Sequence, residues 1–286
     1  LIATPADDRG LWLTQFNVDN AISILRFRDK SGDSWADVAQ MSGQIISAAS
    51  YGTQLAVLDS DGEWQLIGAS GVASTGLPLP GQSNLQCLAS DGSTIWAIAR
   101  VTGEFAIPQP ATRRKPGTQP STMQAVESTT TRWTGGARLL ILRLDSQHWQ
   151  PLGPLPAPFN AEFTAIALHG HLITAALMDK TISLYRDGSP LREFEYHDCA
   201  RFELLATDSG ALLWATGRTG AGSLYPVDGG PTVNLTAPAG LPDESDRAAA
   251  VSLGRLRLFF TKSDAKNTSI LEQKYDLQSF KPIGAP

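Results

Sequence analysis

Hydrophobic and polar positions alternate with a period of two along most of the chain, the period of strands that bury one face. The clearest stretch is Phe163–Phe194, FTAIALHGHLITAALMDKTISLYRDGSPLREF. Phe163, Ala165 and Ala167 share one face of a first strand, and His169-Gly170 turns the chain. Leu172–Leu177 forms a second strand, Met178–Lys180 a hairpin loop and Thr181–Tyr185 a third strand. Asp187-Gly188 is a strong hairpin-turn signal. Pro190–Phe194 completes a fourth, edge strand, where a proline at the start is tolerated. These strands are called a, b, c and d.

The pattern recurs. The a–b turn is marked by Gly10, Gly52, Gly92, Gly170, Gly210 and Gly254, with gaps of 42, 40, 78, 40 and 44 residues. A strand of small residues precedes the later markers: IISAAS, LQCLAS, FTAIAL, ELLAT and AAAVSL. An apolar strand follows each: LWLTQF, QLAVL, TIWAIA, LITAAL, ALLWAT and RLRLFF. The long third gap contains Thr102–Ala137, rich in Pro, Thr, Gln and Arg and without sustained periodicity. Without that insertion the repeat is roughly 40 residues with four strands per unit, the signature of a propeller. The pattern therefore predicts an all-β, six-bladed β-propeller of four-stranded antiparallel blades. It is read as one domain over 1–286, with a long b–c insertion (102–137) in the third blade.

LRLDSQHWQPLGPLP (142–156) resembles the kelch pattern of a turn, a tryptophan and a proline-rich exit, and YDLQSFKPIG (275–284) is similar with Phe280 in place of Trp. The resemblance implies a kelch-like propeller whose Trp35 and Trp149 pack between blades. The glycine pair that closes the second kelch strand is missing in every repeat, and so is the Trp-Asp dipeptide of WD repeats. DKSGDSW (29–35) is faintly similar to the Asp-box turn of sialidase-type propellers, with one residue too many between Asp and Gly. Trp12, Trp96 and Trp214 fall in strand b and are expected as wedges between blades; Trp64 starts a strand c.

Because antiparallel strands alternate direction, b–c loops and d–a connections leave one face and a–b turns leave the other. The insertion belongs to the b–c face, where propellers usually take ligands, and a loop of that length is usually functional or disordered. It carries Arg113, Arg114 and Lys115, a basic cluster on an acidic chain, and Trp133 beyond a polar tract. These four are the candidate ligand-binding residues, an anion clamp at the propeller mouth or else a solvated loop.

The 286 residues are 42% hydrophobic, ample for a large core, and the net charge is −5. That balance argues against a nucleic-acid groove, which needs a positive surface. No apolar run reaches the length of a transmembrane helix. Cys87 and Cys199 are too few for a disulfide scaffold. A chain that starts at Leu1 without a signal-peptide pattern reads as a mature form or an excised piece, and an extracytoplasmic or secreted location is expected.

Candidate chemistry adds little. His169-Gly170-His171 occupies ordinary turn positions in the repeat, so no metal is expected there. Asp59-Ser60-Asp61-Gly62 is a b–c hairpin without the further ligands of a calcium loop. Asp243–Arg247 is the densest acidic stretch, on the insertion's face, and reads as a solvated connection. No nucleophile elbow, phosphate loop or cofactor motif is present, so no cofactor is expected. Asn234 and Asn267 match the glycosylation sequon. The leading reading is a non-enzymatic propeller that presents its b–c loop face to a protein or glycan partner. The alternatives are a glycan-directed hydrolase or lyase with its site in the central funnel, and a structural domain of a larger chain.

Overall fold

The computed structural model describes residues 1–6, 10–32, 34–68, 70–71, 73–75, 82–102, 105–108, 130–133, 138–145, 148–236, 246–263 and 268–284. They form six four-stranded antiparallel blades and one separate hairpin, arranged as a β-propeller without helices. Blade 1 is β1 (Ile2–Ala6), β2 (Gly10–Asn17), β3 (Ile22–Asp29) and β4 (Ala36–Ser42). Blade 2 is β5 (Ile45–Tyr51), β6 (Gln54–Asp59), β7 (Trp64–Gly68) and β8 (Ala73–Thr75). Blade 3 begins with β9 (Gln82–Ser90) and β10 (Ile95–Thr102), is interrupted by the hairpin β11 (Phe105–Pro108) and β12 (Thr130–Trp133), and ends with β13 (Arg138–Asp145) and β14 (His148–Pro154). Blade 4 is β15 (Glu162–Leu168), β16 (His171–Met178), β17 (Thr181–Arg186) and β18 (Ser189–Glu195). Blade 5 is β19 (Arg201–Thr207), β20 (Gly210–Thr216), β21 (Ser223–Pro226) and β22 (Val233–Asn234). Blade 6 is β23 (Arg247–Ser252), β24 (Arg255–Ser263), β25 (Thr268–Asp276) and β26 (Pro282–Ile283).

Turn chemistry sets the hairpins. His169-Gly170 and Asp187-Gly188 both hold positive φ (52° and 78°, 50° and 80°), the left-handed pair that a tight two-residue turn between twisted strands requires. Inside the insertion, where no strand was expected, Phe105 pairs with Trp133 and Pro108 with Thr130. Four residues per strand are too few to raise a periodic signal above a proline- and threonine-rich background.

The core lies between blades. Trp12, Trp96 and Trp214 are buried at the seams as expected, and Trp214 is 0% exposed with its indole N–H donating to the Ala221 carbonyl at 2.8 Å. Trp64 and Trp149 meet edge to face at 5.4 Å between blades 2 and 3. Among the described residues no strand from the start of the chain pairs into blade 6 and none from its end into blade 1, so the ring closes between blades 1 and 6 through side chains. Leu11 and Leu13 pack on Ala248, Ala250 and Phe259, and Trp35 stands edge-on to Phe259 at 6.1 Å. Above them Glu272 accepts from Arg28 at 2.7 Å and from Arg257, and the Arg28 guanidinium lies 4.4 Å from the Trp35 ring centroid. Burial pushes the Glu272 carboxyl up, but the hydrogen bonds and charges of the two arginines outweigh it and leave the pKa below the ordinary value.

Candidate functional site

The inner strands β1, β5, β9, β15, β19 and β23 stand around the axis and enclose a cavity of about 770 Å3. That size falls within the roughly 300–1,000 Å3 of small-ligand sites. The small residues of strand a keep the channel open: Ala48, Ala89, Ala165 and Ala249 all line it. Short polar side chains stitch neighbouring inner strands together. The Leu88 N–H donates to Ser47 Oγ at 2.9 Å, Thr4 Oγ1 donates to the Ala48 carbonyl at 3.4 Å, and Ser50 Oγ donates to the Pro5 carbonyl.

Inner strands begin on the b–c face, so their first residues form the channel mouth there. Its two sides differ. On the side of blades 5 and 6 the charged groups that line the channel, Arg201 and Glu203, are engaged with each other and with the backbone. Glu203 Oε1 accepts from Arg201 Nε at 2.9 Å and Nη2 at 2.8 Å, and Oε2 accepts from the Ala249 N–H at 2.7 Å. Burial pushes the Glu203 carboxyl above its ordinary range, while Arg201 and the Ala249 N–H pull it back. A carboxyl with both oxygens committed to the scaffold is poorly placed to exchange a proton with a substrate. Next to it, buried Arg247 donates from Nη1 to Thr216 Oγ1 at 3.1 Å and to the Gly217 and Gly220 carbonyls at 3.1 and 2.6 Å. Its Nη2 donates to the Arg218 carbonyl at 2.6 Å. One guanidinium thereby fixes the b–c loop of blade 5.

On the side of blades 2, 3 and 4 the geometry is open. Ile45 pairs with Asp59 and Ser47 with Leu58, so Ile46 is an extra residue with no partner across the strand. In the next inner strand Cys87 pairs with Ile98 and Leu85 with Ala99, which makes Gln86 the extra residue. The two bulges sit at the same place relative to the turn glycines Gly52 and Gly92. The other four inner strands keep an unbroken register with strand b. A bulge re-aims side chains, and both Ile46 (41% exposed) and Gln86 line the channel. Gln44, Asn160 and Glu162 line it too; all three are exposed, and their side chains form no hydrogen bond or ion pair among the described residues. Arg100 closes this side. Its Nε and Nη2 donate to the Phe159 and Ala161 carbonyls at 2.8 and 3.1 Å, holding the connection between blades 3 and 4.

Of the residues singled out from sequence, Arg113, Arg114 and Lys115 lie outside the described residues. Trp133 lies in β12, and β11 rests against β14, the outermost strand of blade 3. His171 is on the a–b face, where its Nδ1 is 2.6 Å from Asp187 Oδ2. Asp59 Oδ1 accepts from the N–H groups of Asp61 and Glu63, the bonds of a hairpin turn. Within Asp243–Arg247, only Asp246 and Arg247 are described. Among the described residues no three His, Cys, Asp or Glu side chains are grouped to hold a metal ion. Burial pushes the Cys87 thiol up to about 12 and the Cys199 thiol up to about 11, away from nucleophilic reactivity.

Sequence reasoning passed over Gln44, Gln86, Arg100, Asn160 and Glu162. The signal was present for Gln86: a long amide in NLQCLAS, inside a strand type otherwise built of small and apolar residues.

No protein-family model matches the chain, and no curated protein matches it. Solved structures share the fold. A mutant of the Aleuria aurantia lectin in complex with alpha-methyl-L-fucoside aligns with a TM-score of 0.60 and 11% identity, over 97% of this chain and 91% of that one. The SapL1 lectin in complex with alpha methyl fucoside aligns at 0.53 and 14%, over 96% and 92%. A structure of the nidogen/laminin complex aligns at 0.52 and 12%, over 98% and 92%. Identities this low establish the propeller and nothing finer.

Proposed function

We propose that the chain is a non-enzymatic binding propeller that presents its b–c loop face, with the channel mouth at its centre, to a glycan or protein partner. The observation that carries this reading is the division of the mouth. Its most buried acid, Glu203, is tied to Arg201 and Ala249, while Gln44, Asn160 and Glu162 are left with unused hydrogen-bonding groups. Such a mouth is equipped to hold a ligand and poorly equipped to move a proton. Two of the similar folds are lectins and one comes from a protein–protein complex, which supports binding as the role. In this reading the b–c insertion extends that face from blade 3, whose Trp149 packs edge to face on Trp64 of blade 2. We also propose an extracytoplasmic or secreted location, which cell fractionation tests.

The test is capture of an immobilised glycan library and of a protein extract. The intact chain is compared with one in which 103–137 is replaced by an Asn-Gly turn joining β10 to β13, whose register already pairs Val101 with Arg138. Weaker capture by the shortened chain is expected. Unchanged capture of every partner removes the insertion from the site, and capture of nothing by the intact chain contradicts the reading.

A further inference from the structure

We infer that the bulged side of the channel mouth is a subsite for one neutral, polyhydroxylated unit, a sugar residue at the end of a glycan. This rests on the binding role proposed above and names the ligand class of that site. The two inner-strand bulges are confined to neighbouring blades, at equivalent positions, and each points its extra residue into the same cavity. A bulge costs a ladder hydrogen bond, and a matched pair beside a cavity has the character of a built site. Next to them, on the side of blade 4, Asn160 and Glu162 line the same space.

The chemistry of these groups selects the ligand. The amides of Gln44 and Asn160 each offer two donors and one acceptor oxygen, and Glu162 offers acceptors only. Gln86 spends its Nε2 on the Asn84 and Leu85 carbonyls at 3.1 and 3.0 Å, which leaves its Oε1 as an acceptor. Mixed donors and acceptors in one small space match hydroxyl groups, which both donate and accept. Of the charged residues that line the cavity, Asp91 belongs to the a–b turn at the far end, and at the mouth Arg100 and Arg201 stand against Glu162 and Glu203, so a neutral molecule meets no excess of either sign there. Ile46 supplies an exposed apolar surface in the same cavity, which fits the C–H face of a sugar ring. Gln86 and Glu162 lie on inner strands and Gln44 and Asn160 just ahead of them, all lining a cavity of about 770 Å3 that is wide enough to take a single unit or chain end.

The experiment is a titration followed by saturation-transfer NMR with methyl glycosides of glucose, galactose, mannose and fucose, with methyl glucuronide as the charged control. Saturable binding of at least one neutral glycoside is expected, weakened at least tenfold in both Gln86→Ala and Asn160→Ala and unchanged in His171→Ala on the opposite face. Circular dichroism and thermal melting confirm that each variant is folded, and Glu162→Gln, which keeps size and removes charge, serves as the second mouth variant. The inference is overturned if no neutral glycoside binds, if the mouth variants bind as the intact chain does, or if the glucuronide binds more tightly than every neutral glycoside. A protein partner captured in a mouth-dependent way with no glycoside binding overturns this inference alone; binding of either class that ignores the mouth overturns the proposed function as well.

Discussion

The two sides of the channel mouth both carry polar side chains and use them differently. Around blades 5 and 6, Arg201, Glu203 and Arg247 are spent on one another and on backbone groups of adjacent blades. Around blades 2 to 4, Gln44, Asn160 and Glu162 are exposed in the cavity and engaged with nothing described. A polar side chain in a cavity is therefore not by itself a sign of function. What separates scaffold from site is whether its hydrogen-bonding capacity is already used. Substitutions on the first side should register in stability, and those on the second in binding.

The largest break in that division comes from Arg247. Arg247→Ala leaves the carbonyls of Gly217, Arg218 and Gly220 without their donor in a buried corner, and a loss of about 3 kcal/mol is expected in denaturant titration. A loss below about 0.5 kcal/mol, the range of ordinary surface substitutions, would remove the distinction between the two sides. Glu203→Gln is next. The amide oxygen can still accept the Ala249 N–H, but the amide nitrogen cannot accept from Arg201, and about 1 kcal/mol of hydrogen bonding should be lost, offset in part at neutral pH because burial already disfavours the ionised carboxyl.

The ring-closing cluster sharpens the comparison through pH. Glu272 has a lowered pKa in the fold, so its contribution to stability is present above the ordinary carboxylate range and disappears as pH falls through the lowered value. Glu203 has a raised pKa, so its contribution runs the other way, present at low pH and lost as pH rises through the raised value. Thermal melts from pH 7 to pH 3 should show Glu272→Gln losing less stability on acidification than the unaltered chain. An acid limb of the same slope in both would rule out the cluster as its cause. The smallest effect belongs to the open side: Gln44→Ala and Asn160→Ala should change stability by no more than about 0.5 kcal/mol. A larger loss in either would mean that it holds the scaffold after all.

The fold was largely legible in the sequence because its marks are local. The turn glycines, the small-residue strand before each and the tryptophans of strand b lie within a few residues of one another, and the six blades follow them. The site was not legible for a matching reason. The bulges at Ile46 and Gln86 each add one residue to a strand without adding a turn residue, so alternation alone does not locate them. Arg28 and Glu272 are brought together by ring closure from opposite ends of the chain, a pairing without any local trace. The insertion drew attention by its length and its basic cluster, yet the open polar groups of the described structure lie on the inner strands or just ahead of them.

The most direct test of the account is a glycan array probed with three forms of the chain: unaltered, Asn160→Ala/Glu162→Ala at the mouth, and His171→Ala/Asp187→Ala on the a–b face. The mouth pair should abolish the signals that the unaltered chain gives, while the opposite pair leaves them intact. Signals that survive the mouth pair, or fall only with the opposite pair, would contradict it.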